Sequence, residues 1–195
     1  MKNNKKILIS VIALVVAVAA GVTTFLLVKG NGGNGNSGES GQGEISKGNC
    51  SVFECIEKLN SKMTVEEMNE VIGFEGELTS EAETYKVYSW ELTEETSITS
   101  QFSLSYNTAT ISANYPKSMV PKTADFSRWS EIQAKLKSGE ALYYDEFVKM
   151  VGGTEGVMSQ KSSTSVTYEW DNADGGYLSG YFNESGKCTM ATGRF

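Results

Sequence analysis

The chain contains no histidine among its 195 residues. This absence excludes the Ser-His-Asp and Cys-His catalytic mechanisms, and it removes the commonest ligand sets for zinc. Ser-Lys and carboxylate chemistry remain open, but no residue spacing indicates either of them. We therefore expect a protein that is not an enzyme, with no catalytic residue, no metal site and no cofactor.

Basic residues are scarce beyond Lys29. That part of the chain holds 13 lysines and arginines against 24 acidic residues, a formal charge of −11. Nucleic acid is excluded as a partner, because binding it requires basic patches that neutralise phosphate. A positively charged partner would be steered toward such a surface. The alternative is that the acidity only keeps an extracytoplasmic domain soluble.

Charged residues are absent from one long segment near the N-terminus, Ile7–Val28. These 22 residues would span about 33 Å as a helix, which is enough to cross a bilayer core of about 30 Å. Lys2, Lys5 and Lys6 precede the segment and only Lys29 follows it, a bias that places the N-terminus in the cytoplasm. We predict a single-pass membrane anchor with an extracellular C-terminal domain.

A cleaved signal peptide is the competing interpretation, because Ala17-Val18-Ala19 resembles a cleavage site. The apolar run continues well past that point and exceeds the usual length of a signal core, which favours the anchor. No cysteine ends the run, so the attachment signal of a bacterial lipoprotein is missing. The Gly, Asn and Ser residues that follow predict a flexible tether.

Proline is also rare, and both prolines lie in the segment 116–121, which predicts a boundary. Around it, the second half of the chain repeats the first at a spacing of 80 residues, and a duplicated unit favours a binding surface over a single catalytic pocket. The recurring residues are Val71, Gly73, Glu75, Gly76, Thr84, Tyr88, Trp90 and Phe102, which reappear as Val151, Gly153, Glu155, Gly156, Thr164, Tyr168, Trp170 and Phe182. The predicted segments are a cytoplasmic stub with a transmembrane anchor (1–29), a flexible linker (30–49), repeat 1 (50–120) and repeat 2 (121–195).

Within each repeat, the apolar residues first follow the spacing of a helix and then alternate with polar residues, as in a strand. Capping boxes at Ser51-Val52-Phe53-Glu54 and Thr64-Val65-Glu66-Glu67 predict two helix starts, and Tyr144 replaces Thr64 in the second repeat. We therefore predict an α+β fold after the N-terminal transmembrane helix. It consists of two tandem repeats, each a helix-loop-helix packed on a three- to four-stranded antiparallel sheet.

A set of short motifs occurs in order along the two repeats. They are 53–63, Thr64-Val65-Glu66-Glu67-Met68, Val71-Ile72-Gly73, Val151-Gly152-Gly153, Thr167-Tyr168-Glu169-Trp170, Gly175 and 181–187. This pattern resembles the β-lactamase inhibitory protein family and related small extracytoplasmic proteins of Gram-positive bacteria. More distantly, it is similar to outer-membrane assembly lipoproteins of the BamE and SmpA type. The resemblance implies a concave sheet surface that binds a protein in the manner of an inhibitor.

Three cysteines occur in the chain. Cys50 and Cys55 occupy the two positions whose side chains normally touch as a hydrophobic staple at a helix start, so a disulfide between them would fit. Cys188 would then be an unpaired thiol. A bond from Cys188 to either of the others, or three reduced thiols, stays open.

The strand alternation separates the aromatic residues into two groups. Tyr168 and Trp170 share a face, as do their counterparts Tyr88 and Trp90, and we expect these aromatic residues to pack on the helices as part of the core. The opposite face carries Glu169, Tyr177 and Tyr181, and exposed tyrosines on a polar sheet favour protein binding. An ordinary solvated face is the alternative.

We thus expect a membrane-anchored extracytoplasmic module that binds a protein or another envelope component through Tyr177, Tyr181 and Glu169. The partner would be held by the sheet surface, and the membrane would be contacted through the N-terminal helix. The alternatives are an inhibitor of a β-lactamase or a transpeptidase, and an enzyme that processes envelope polymers. In the enzyme, Glu75 and Glu155 would act as general acid or base.

Overall fold

The computed structural model describes residues 47–195, so the predicted anchor and most of the predicted linker lie outside the described residues. Among the helices within residues 47–195, none has both the length and the apolar character needed to span a membrane. The helices are α1 (Val52–Lys58), α2 (Val65–Ile72), α3 (Trp129–Ser138) and α4 (Tyr144–Met150), with a 3₁₀ turn at Lys117–Met119. The strands are β1 (Glu77–Ala82), β2 (Tyr85–Glu91), β3 (Ser97–Ser103), β4 (Thr108–Asn114), β5 (Val157–Lys161), β6 (Ser165–Asp171), β7 (Tyr177–Asn183) and β8 (Cys188–Arg194).

All the strands of the described residues form one antiparallel sheet in the order β1 to β8. The two halves join where β4 pairs with β5, through Ile111 opposite Lys161 and Ser112 opposite Gln160. The predicted fold class is therefore wrong. The protein is an eight-stranded antiparallel sheet with a few short helices, and it does not consist of helix-loop-helix repeats on separate three- to four-stranded sheets. The physical reason is that β4 and β5 would otherwise each present an unpaired edge, and their pairing removes both.

Helix α1 reinforces this junction, because it packs across β3, β4 and β5 and so touches strands of both halves. The Lys161 ammonium donates to the carbonyl oxygens of Ile56, Glu57 and Leu59 at 3.2, 3.1 and 3.0 Å. A lysine at a helix C-terminus satisfies carbonyls that have no partner within the helix. A side chain of the second half thus closes the first helix of the first half.

Two hydrophobic cores lie on the helix side of the sheet, one in each half. Trp90 and Trp170 are their largest members and are 0% and 1% exposed. The prediction that these residues belong to the core is confirmed. Tyr88 and Tyr168 pack against the two cores from the same side and are half-buried.

The helix starts follow local sequence. Ser51 and Thr64 each accept a hydrogen bond from the backbone of the residue three positions later, and Glu54 and Glu67 complete the predicted capping boxes. Helix α4 begins after Tyr143 without a side-chain cap. Tyr144, the first residue of α4, packs its ring against the second core instead of capping the helix.

Candidate functional site

Strand alternation gives the sheet a second side, which we call the polar face. One row of side chains crosses it in register from β2 to β8, over about 29 Å, since neighbouring strands lie roughly 4.8 Å apart. Within residues 47–195, the helices all contribute to the two cores on the other side of the sheet. The row consists of Ser89, Thr99, Ser112, Gln160, Thr167, Tyr181 and Met190.

Tyr181 lies near the β8 end of this row, between Thr167 and Met190. The Met190 side chain is 49% exposed, whereas Thr167 and Ser179 are each only 7% exposed. Two large side chains thus stand beside small, nearly buried hydroxyl residues. Tyrosine and methionine side chains are enriched in protein–protein interfaces.

Tyr177 lies on the same face, but its ring is already engaged. The Lys117 ammonium lies over the ring at 4.4 Å from its centre, a cation–π contact. Lys117 belongs to the 3₁₀ turn between the halves, so the segment that connects the halves passes Tyr177. The Tyr177 ring is therefore engaged within the molecule, and Tyr177 and Tyr181 are both half-buried.

Glu169 is also engaged within the molecule. The Tyr115 hydroxyl donates a hydrogen bond to Glu169 Oε2 at 3.2 Å. Burial and the nearby Glu169 charge raise the pKa of Tyr115 far above its usual range, so this hydroxyl keeps its proton. The contact ties the end of β4 to β6, next to the strand pair that joins the halves.

The cysteines are divided between the two halves. Cys50 and Cys55 form a disulfide at the start of α1. Cys188 is a buried free thiol on β8, and burial raises its pKa to about 11. Because the thiolate is the reactive form, Cys188 is chemically inert at neutral pH.

The two carboxylates considered for acid–base chemistry, Glu75 and Glu155, have different surroundings. Glu155 Oε2 accepts a hydrogen bond from the Tyr144 hydroxyl at 2.8 Å, while Glu75 is exposed. The described part of the chain contains no group of three metal-binding residues.

Met190 and Gln160 are residues of the polar face that sequence reasoning missed. A period-two count along β8 places Met190, Thr192 and Arg194 on one face, and this alternation is the signal that could have found Met190. Gln160 had no such signal, because its position depends on a register shift in β5 and on the pairing with β4. Its side-chain amide donates to Ser112 Oγ at 3.2 Å across that pairing.

No protein-family model, no curated protein and no solved structure matches this chain.

Proposed function

We propose that this protein is a membrane-anchored, extracytoplasmic module that binds another protein through the polar face, with Tyr181 and Met190 at the centre of contact. The observation that carries the proposal is the unbroken row of hydroxyl, amide, tyrosine and methionine side chains across seven strands. A hydrogen-bonded sheet fixes the backbone that carries these side chains, so no backbone segment has to become ordered on binding.

The excess of acidic side chains supports the proposal that the partner is basic. Residues 47–195 carry 22 acidic and 13 basic side chains, whereas the row itself carries no charge. Acidic surroundings would attract a positively charged protein over a long range, and the uncharged row would then make the close contacts. Tyr177 and Glu169 would lie at the border of that contact.

Two observations support the location. The uncharged segment Ile7–Val28 follows three lysines, which is typical of an anchor with a cytoplasmic N-terminus. The Cys50–Cys55 disulfide fits an oxidising compartment outside the cytoplasm.

Photocrosslinking of the full chain on intact cells tests the proposal, with the crosslinking residue at the exposed position Thr192. A Tyr181→Ala, Met190→Ala double variant is expected to lose the captured protein. Tyr106→Ala is the matched control, because Tyr106 is 81% exposed and lies in the turn between β3 and β4, outside the strands that carry the row. Capture is also expected to weaken with added salt, since exposed charges are screened.

An unchanged set of crosslinked proteins in the double variant would refute the role of this face. So would equal losses in the double variant and in Tyr106→Ala.

A further inference from the structure

A cleft lies on the helix side of the first half, beside the start of α2. Its volume is about 250 Å³, and the rings of Tyr88 and Phe102 are among its lining. A cavity of about 150 Å³ is already large enough to hold benzene. The lining also includes the apolar residues Met63, Val65 and Leu104, the polar residue Thr64, and the charged residues Lys62, Glu66 and Lys86.

The rings of Tyr88 and Phe102 form what we call the aromatic floor of the cleft, and the rings of Tyr168 and Phe182 form the equivalent floor in the second half. The ring centres of Tyr88 and Phe102 are 5.7 Å apart, and those of Tyr168 and Phe182 are 5.8 Å apart. Both pairs meet edge to face. The distance from each tyrosine ring to its buried tryptophan is 6.2 Å in both halves.

In the second half, this floor is covered by the ring of Tyr144. That ring lies 4.5 Å from the Tyr168 ring and 5.3 Å from the Phe182 ring. The residue 80 positions earlier is Thr64, which has no ring and uses its hydroxyl to cap α2. Within the described residues, Tyr88 has ring contacts only with Trp90 and Phe102.

The cleft also has an apolar border. Leu104 lines it and is 51% exposed. Leu78 pairs with Tyr88 across β1 and β2, and its side chain is 43% exposed. In the second half, the equivalent of Leu78 is Met158, which packs against the first core. The first half therefore leaves both the aromatic floor and its apolar border accessible.

We infer that this cleft binds an aromatic side chain presented by a partner protein or peptide, in the place that Tyr144 occupies in the second half. The chain itself supplies the evidence for the occupant, because an identical floor is filled there by a phenol ring. Aromatic rings prefer tilted and edge-to-face contacts of this kind. The site lies on the opposite side of the sheet from the polar face, so it does not depend on the function proposed above.

The test uses the full chain in lipid nanodiscs, with labelled methionine and leucine methyl groups observed by nuclear magnetic resonance. p-Cresol is the probe, and 4-methylcyclohexanol, which has the same skeleton without the aromatic ring, is the comparison. We expect p-cresol to bind at one site, with shifts at Met63 and Leu104, and about fivefold more tightly than the saturated alcohol.

Matched variants separate the cleft from other surfaces. Thr64→Tyr would insert the ring that the second half carries, and p-cresol binding is expected to weaken at least tenfold. Thr64→Val removes the same capping hydroxyl without adding a ring, so any loss of p-cresol binding is expected to be much smaller than in Thr64→Tyr.

Tyr144→Thr is expected to open the equivalent cleft and to give a second binding site. If this variant does not fold, the pair at position 64 decides the matter alone. Equal affinity for the two probes, shifts away from Met63 and Leu104, or unchanged binding in Thr64→Tyr would each overturn the inference.

Discussion

The two halves of the molecule hold the same buried tryptophan by different means. The indole N–H of Trp90 donates to Asn69 Oδ1 at 2.8 Å, and that of Trp170 donates to the backbone carbonyl of Thr154, also at 2.8 Å. A buried donor needs an acceptor, but the chemistry does not specify which one. The buried indole ring therefore recurs in both halves, whereas the acceptor of its N–H group differs.

The same difference affects the glycine beside each indole. The Gly76 amide donates to Asn69 Oδ1 at 3.0 Å, so one amide oxygen serves both the glycine and the tryptophan. The Gly156 amide donates to the Tyr144 hydroxyl at 3.2 Å. The first half thus depends on one asparagine, and the second depends on a tyrosine that also covers the aromatic floor. Four predictions test this comparison.

The largest effect is expected at the glycines, where the two halves should respond alike. A Cβ on Gly76 would lie 2.4 Å from the Trp90 ring, and one on Gly156 would lie 2.6 Å from the Trp170 ring. Because both rings are buried, Gly76→Ala and Gly156→Ala should each lower the free energy of unfolding by roughly 3 kcal/mol in urea denaturation. Gly153→Ala, which meets no atom within 4 Å, is the control and should cost only its left-handed backbone strain, about 1 kcal/mol.

The second prediction concerns Asn69, which has no counterpart of the same function in the second half. Asn69→Ala leaves two partly buried donors without an acceptor and should cost about 2 kcal/mol. The residue 80 positions later is the exposed Lys149, so Lys149→Ala should change stability by less than about 0.5 kcal/mol. Equal losses in the two variants, measured by thermal or urea unfolding, would contradict the assignment of Asn69.

The third prediction concerns the junction of the halves. Lys161→Met keeps a long apolar stem but removes three hydrogen bonds at the end of α1, and it should lower the free energy of unfolding by about 1.5 kcal/mol. Hydrogen exchange should then be faster in α1 than in α4, because only α1 loses its C-terminal contacts. Uniform exchange throughout the molecule would argue against this role.

The smallest effect is expected for Tyr144→Phe, which keeps the ring and removes the hydroxyl. It should cost about 1 kcal/mol at pH 7, because the Gly156 amide loses its acceptor. Burial raises the pKa of Tyr144, and its hydrogen bond to Glu155 adds to this effect. The neutral phenol therefore stabilises the fold fully below the unfolded pKa of about 10, and this contribution is lost as the pH rises further.

Unfolding measured from pH 8 to 11 should consequently show a steeper loss of stability in the unmodified protein than in Tyr144→Phe. Parallel curves for the two proteins would show that Tyr144 does not titrate with folding.

Local features of the fold could be predicted from the sequence. The capping boxes at Ser51 and Thr64 connect residues only three positions apart, so the pattern contains the whole interaction. The burial of Trp90 and Trp170 followed from strand alternation, which has a fixed period of two. The staple positions of Cys50 and Cys55 likewise lie within one helix start.

The way the halves combine could not be predicted in the same way. The pairing of β4 with β5 connects Ser112 to Gln160, residues far apart in the chain, and no local pattern encodes that register. Alternation placed Tyr177, Tyr181 and Glu169 on one face, but the contacts made by Lys117 and Tyr115 come from outside those strands. Only these contacts distinguish Tyr181 from the other two residues.

By itself, the sequence determined the helix starts, the buried tryptophans and the polar character of one sheet face, because each depends on residues close together in the chain. The tertiary structure decided that the two halves share one sheet, that Lys161 closes α1, and that an aromatic floor is covered by Tyr144 in one half and open beside Thr64 in the other. These features depend on distances between residues that are remote in sequence, and such distances exist only once the chain has folded.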